Sequence, residues 1–64
     1  MGGAPVSDVP VGKQGVALTE LRPLGRVEIA GKRYDVRCQD GLAAAGAQVE
    51  VIAAEPGNLL VRTV

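Results

Sequence analysis

The sequence predicts an all-β fold, a small barrel of five short strands. Three observations carry that expectation. Apolar and polar residues alternate in short runs, the period of a half-buried strand. Clusters of Gly, Pro, Asn and Asp punctuate those runs as turns do. One pair of runs also encodes its own register in its charges.

That pair lies inside Gly15–Cys38, a stretch of three strand-like runs joined by two Gly-containing turns. Placing Ile29 opposite Lys32 across Ala30-Gly31 puts Glu28 opposite Arg33, Val27 opposite Tyr34 and Arg26 opposite Asp35. Two opposite-charge pairs then share one face, and Val27, Tyr34, Val36 and Cys38 share the other. Cross-strand pairs of this kind contribute roughly 0.2–1 kcal/mol each, and a slip of one residue would drive both charge pairs into the core. Two-residue hairpins favour Asn-Gly, Asp-Gly or a leading Gly, and Ala-Gly is none of these. A four-residue loop on the same centre keeps the same register.

The elements follow in chain order. Residues 1–12 carry Pro5 and Pro10, show no hydrophobic period, and read as a flexible tail or linker ahead of a domain spanning 13–64. The first strand covers Gly15–Glu20, with Val16 and Leu18 on one face and Ala17 and Thr19 on the other. Gly15 suits a bulge or a close approach between strands. Leu21–Gly25 forms a corner: Pro23 removes a donor and biases Arg22 toward an extended conformation, and Gly25 can supply a positive φ.

The second strand is Gly25–Ala30 and the third Lys32–Gln39. Gln39-Asp40-Gly41 is a turn, and Leu42–Ala45 is expected to form one helical turn closed by Gly46. The fourth strand is Gln48–Ala54. Glu55–Asn58 is the clearest turn in the chain, and Leu59–Thr63 is the fifth strand. Two registers compete in this last hairpin. A three-residue loop sets Val49, Val51 and Ala53 against Leu59 and Val61; a symmetric four-residue loop pairs Ile52 with Val61. The first is preferred.

Five strands with a short crossover between the third and fourth predict a Greek-key barrel of the oligonucleotide/oligosaccharide-binding (OB) type, all strands antiparallel. An SH3-like barrel is the runner-up. A lipoyl-type sandwich is disfavoured, because no Lys occupies the centre of a hairpin.

Composition narrows the function. The chain has 64 residues, enough for one domain with a marginal core. One Cys excludes an internal disulfide, and the absence of His removes the commonest zinc ligand. Stability beyond aliphatic packing is left to a parent protein or to homo-oligomerisation. Seven Lys+Arg balance seven Asp+Glu, which argues against a strong phosphate-backbone binder. No membrane span and no signal peptide is legible.

The run Gly15-Val16-Ala17-Leu18-Thr19-Glu20-Leu21-Arg22-Pro23-Leu24-Gly25-Arg26-Val27 resembles the C-terminal domain of the NfeD family. So do Gly31–Val36, Asp40-Gly41, Ala45–Val51 and Leu59–Arg62. The resemblance covers residues 12 to 63. It implies a five-stranded OB-type barrel at the end of a membrane-anchored parent, on the cytoplasmic side. It also implies stomatin-, prohibitin- or flotillin-like partners and a part in regulating membrane protease activity. Contact with the membrane would run through parent segments outside this chain. One departure is Leu42-Ala43-Ala44, where the family often carries a bulkier aromatic or Ile residue.

No catalytic, cofactor-binding or metal-binding residue is expected. Ser7 is the only serine and lies in the tail, and Cys38 has no His to activate it. Cys38 instead counts as a buried thiol facing inward. Asp35, Asp40 and Glu50 show no metal-loop spacing. Single-stranded nucleic acid is the alternative ligand, but Tyr34 is the only aromatic ring and faces inward.

The expectation is therefore a non-catalytic interaction domain. Arg22, Pro23 and Leu24 form one candidate contact loop. Leu60 and Arg62, with Val64, form another on the outer side of the last strand. That strand is expected at a sheet edge, where free backbone would accept a partner strand. The competing reading has Leu21 and Leu24 plugging one end of the barrel.

Overall fold

The computed structural model describes residues 9–64. Its first hairpin follows the charge-encoded register. Ile29 faces Lys32, Glu28 faces Arg33, Val27 faces Tyr34 and Arg26 faces Asp35. The turn has two residues, with Ala30 at φ 53° and Gly31 at φ 81°. Two left-handed residues match the right-handed twist of the strands they join, which outweighs the poor fit of Ala to that region.

The strands are β1 (Gln14–Ala17), β2 (Leu24–Ile29), β3 (Lys32–Cys38), β4 (Gln48–Glu55) and β5 (Asn58–Thr63). They form a closed barrel in the order β1-β2-β3-β5-β4, with β4 pairing back onto β1. This is the expected five-stranded OB-type barrel. One seam differs from the all-antiparallel expectation: β3 and β5 run parallel, with Val36 beside Leu59 and Cys38 beside Val61. The connection after β3 crosses the barrel end, so β5 returns alongside β3 in the same direction. Consequently β5 lies between β3 and β4 and is not a sheet edge.

The crossover is extended rather than helical. Leu21 and Ala43 exchange backbone hydrogen bonds of 2.9 and 3.0 Å, and Ala47 N–H donates to Ala44 O at 3.1 Å. An isolated helical turn has too few internal bonds to compete with such a bridge. Leu21 is thereby held fully buried as the plug of this end. Leu24, its expected companion, is 64% exposed.

β1 is shorter than expected and its apolar face is the outer one. Ala17 is buried while Val16 and Leu18 are 45% and 41% exposed. The cause is crowding. A Cβ on Gly15 would lie 2.4 Å from Glu28 O and 2.5 Å from Ile29 Cγ1, so the inward positions of β1 must be small. Gly25 works the same way: its backbone is not left-handed, and a Cβ there would meet Leu21 Cδ2 at 2.4 Å.

Both competing registers of the last hairpin occur, at different heights. Glu55 pairs with Asn58 and Ala54 with Leu59, the register of the symmetric loop. A bulge at Ile52 then inserts one extra residue, and below it Val51 faces Val61 and Val49 faces Thr63. The bulge restores the inward facing of Val49, Val51, Leu59 and Val61, all essentially buried.

These four join Leu21, Val27, Ile29, Tyr34, Val36 and Cys38 in one apolar core. Cys38 is buried as expected. Burying each large aliphatic side chain contributes about 1.5–3 kcal/mol. The core also takes in Val9, 8% exposed, from the expected tail, and Gly12 N–H donates to Val51 O at 2.8 Å. The packed unit thus begins earlier than residue 13; residues 1–8 of that tail lie outside the described residues. Among the described residues, no helix is long and apolar enough to cross a membrane.

Candidate partner-binding face

The corner before β2 is built by its own backbone. Arg22 N–H donates to Leu24 O at 3.3 Å, and Pro23 O accepts the Cys38 N–H at 2.7 Å. The Arg22-Pro23 peptide is cis. Tied this way to the end of β3, the corner delivers Leu24 to the outer surface beside Arg37, its ladder partner. The parallel seam continues the row, because Arg37 pairs with Leu60 and Leu60 with Ala53. Leu24, Arg37 and Leu60 therefore lie side by side across three strands, although the two leucines come from opposite halves of the chain.

Arg37 is held in place rather than free to swing. Its Nε donates to Glu55 Oε1 at 3.1 Å and its Nη2 to Glu55 Oε2. Asn58 Nδ2 adds a donor to Glu55 Oε1 at 2.8 Å. The hydrogen bond from Arg37, seconded by that from Asn58, holds the Glu55 carboxyl below its ordinary range. A bidentate guanidinium–carboxylate fork fixes orientation as well as charge. A groove of about 430 Å³ opens beside this clamp, lined by Leu24, Gly25, Arg26, Asp35, Val36 and Asn58. Arg26 and Asp35 form its polar wall, with Arg26 Nε 3.1 Å from Asp35 Oδ1.

Of the five residues expected from sequence, Leu24 and Leu60 meet on this row and Pro23 anchors it. Arg62 projects from the same strand as Leu60, but its Nη2 is bound to Glu50 Oε1 at 2.7 Å, toward β4. Arg22 extends past the corner and pairs with Glu20 at 2.8 Å. Val64 sits elsewhere, its N–H on Gln48 O at 3.0 Å. Sequence reasoning did not place Arg37, Glu55 and Asn58 on a partner contact. Their complementary charges were visible, but the parallel seam that gathers them was not.

This surface presents two apolar contacts around a fixed cation, a composition suited to recognising a protein face. The family model described as the NfeD-like C-terminal, partner-binding domain matches residues 8–62. The chain belongs to this family. The barrel is also similar to a solved structure, the C-terminal domain of stomatin operon partner protein 1510-C from Pyrococcus horikoshii. The two share 25% sequence identity and a TM-score of 0.80, over 84% of this chain and 86% of that one. No curated protein matches the chain. The resemblance read from the quoted motifs and the OB-type architecture are both upheld by these comparisons.

Proposed function

We propose that this NfeD-like barrel is a non-catalytic interaction domain that engages a stomatin- or flotillin-like membrane protein through the Leu24–Arg37–Leu60 face. The observation that carries this reading is the row itself: two half-exposed to exposed leucines held on either side of a clamped arginine, in a family described by partner binding. The printed name of the archaeal structure, a stomatin operon partner, supports the choice of partner class. On this reading the parent protein is anchored in a membrane with the barrel on its cytoplasmic side. Its engagement of a stomatin-like assembly would bear on membrane protease activity.

A single-stranded nucleic-acid platform is disfavoured by the position of Tyr34. The only ring in the chain is 4% exposed and points into the core, which leaves no aromatic surface for base stacking.

The test is an amide NMR titration of the chain with the soluble domain of a stomatin-like protein. Shifts gathered at Leu24, Arg37 and Leu60 support the reading. Binding that leaves these amides unmoved would sink the assigned face, and no binding at all would sink the partner class.

A further inference from the structure

The first half of β3 is unpaired on one side among the described residues. β3 runs from Lys32 to Cys38, yet it pairs with β5 only from Val36 to Cys38. β5 begins at Asn58, level with Asp35, so the first half of β3 has no neighbour on that side among the described residues. Along β3 the hydrogen-bonding direction alternates. Cys38 N–H turns toward β2 and meets Pro23 O, whereas Gln39 N–H turns the other way and meets Val61 O. Counting back, Arg33 and Asp35 direct their N–H groups away from β2, as Gln39 does. On β2, Arg26 agrees with this phase, since its carbonyl accepts Leu18 N–H from β1 at 2.8 Å. The open edge, Lys32 to Asp35, is therefore about 10 Å of extended backbone whose outward groups, the N–H of Arg33 and of Asp35 and the carbonyl of Arg33, face no paired strand among the described residues.

The cations around this edge differ in whether they hold an acidic partner. Arg22, Arg26, Arg37 and Arg62 each hold an acidic side chain within salt-bridge distance. Arg33, Lys32 and Lys13 do not, among the described residues. Lys13 and Lys32, the only lysines of the chain, line one hollow of about 260 Å³ with Val9, Pro10, Ile29, Ala30 and Tyr34. Glu28 is the one acid opposite Arg33, and no ion pair joins them among the described residues.

We propose that the Lys32–Asp35 edge of β3 receives an extended acidic segment of a partner protein as an added strand. Main-chain bonds to Arg33 and Asp35 would set its position; a carboxylate on the outer face of the added strand would meet Arg33, and one on the opposite face would meet Lys32 and Lys13. Strand addition supplies affinity through the backbone and selectivity through flanking side chains, here cationic ones. The site differs from the edge expected on β5, which the barrel closes. The proposal rests on the partner-binding reading and names the kind of segment the partner contributes.

The experiment titrates the full chain with a capped six-residue peptide of alternating Glu and Val, and in parallel with its Lys and Val counterpart. The acidic peptide should shift the amides of Lys32, Arg33 and Asp35 and lose affinity with salt; the basic one should not bind. Arg33→Gln keeps the backbone donor and should weaken binding about twofold to fivefold, as loss of one exposed ion pair does. Arg33→Pro removes the outward donor without removing a ladder bond to β2, and should weaken binding about tenfold or more. An acidic peptide N-methylated on alternate residues makes the same test without altering the protein, and should bind correspondingly worse. Absence of binding, equal binding of both peptides, or full binding of the N-methylated peptide overturns the proposal. If a stomatin-like domain shifts Leu24 and Leu60 but not Arg33, the strand addition fails while the partner reading stands. If the acidic peptide binds the edge and that domain does not bind at all, the partner class fails alone.

Discussion

Leu24 and Leu60 flank Arg37 on one outer row of the barrel, joined by an antiparallel pairing on one side and a parallel pairing on the other. Neither leucine is among the buried core residues: Leu24 is 64% exposed and Leu60 is half-buried. Function and stability should therefore separate here. Leu24→Ser is expected to leave the unfolding free energy within about 0.5 kcal/mol of the unsubstituted chain, as surface changes do. The same variant should weaken a partner that uses this face by about 1–2 kcal/mol, measured by calorimetric titration. Leu59→Ala, at the fully buried neighbour of Leu60 on β5, should cost about 2–5 kcal/mol in denaturant unfolding. Equal destabilisation by both would contradict the assignment of outer and inner faces.

Ala30 is held at φ 53°, a left-handed conformation that costs an L-residue with a Cβ roughly 1–2 kcal/mol. Replacing it with Asn or Gly, which tolerate that region, should stabilise the hairpin. The expected gain for Ala30→Asn is about 1 kcal/mol, or a rise in Tm of about 4–8 °C for a domain of this size. A thermal melt followed by circular dichroism reads it directly. A lower Tm would mean that Ala30 is not strained in the folded chain.

Gly15 has the opposite character. A methyl group there meets the Glu28 carbonyl and Ile29 Cγ1 well inside contact distance. The carbonyl is main chain and cannot rotate away, so the β1–β2 ladder must part. Gly15→Ala should destabilise by about 1–3 kcal/mol, the usual range for overpacking. Gly41→Ala would meet nothing within 4 Å, though its φ of 86° imposes backbone strain instead. A hydrogen-exchange comparison separates the two. Gly15→Ala should lower protection along β1 and β2, and Gly41→Ala should lower it near the β3–β4 crossover.

How much of this could be read from residues alone follows from where the information lies. The β2–β3 register was legible because Arg26, Glu28, Arg33 and Asp35 encode it locally, and only one alignment keeps their charges out of the core. The β4–β5 register was half legible. Alternation favours both alignments about equally, and the bulge at Ile52 that uses one above and the other below leaves no local signature. The outward face of β1 was hidden because Val16 and Leu18 look like core residues until the approach of Glu28 and Ile29 is known. The site followed the same logic. Leu24 and Leu60 were recognisable as exposed aliphatics in their own segments, but Arg37 and Glu55 join them only through a parallel seam between distant strands. The open edge at Arg33 needed knowledge of where β5 starts, which no local pattern states.

Asp40 ties the β3–β4 crossover to the last strand, and this link should make the barrel sensitive to acid. Its Oδ2 accepts the Thr63 hydroxyl at 2.7 Å and the Thr63 N–H at 3.0 Å. These two bonds, the hydroxyl first, hold the carboxyl below its ordinary range, with Arg62 adding a smaller push in the same direction. Glu55 is lowered as well, by Arg37 and then Asn58. The folded chain thus binds fewer protons than the unfolded chain near the ordinary carboxylate range, so stability rises with pH there. The contribution is complete above the unfolded values, about pH 4–5, and is lost as pH falls through the lower folded values. Asp40→Asn should flatten this acid limb in denaturant midpoints taken from neutral pH down to about pH 2. An unchanged limb in Asp40→Asn, with the loss appearing only in a Glu55→Gln variant, would transfer the acid sensitivity from the crossover latch to the Arg37 clamp.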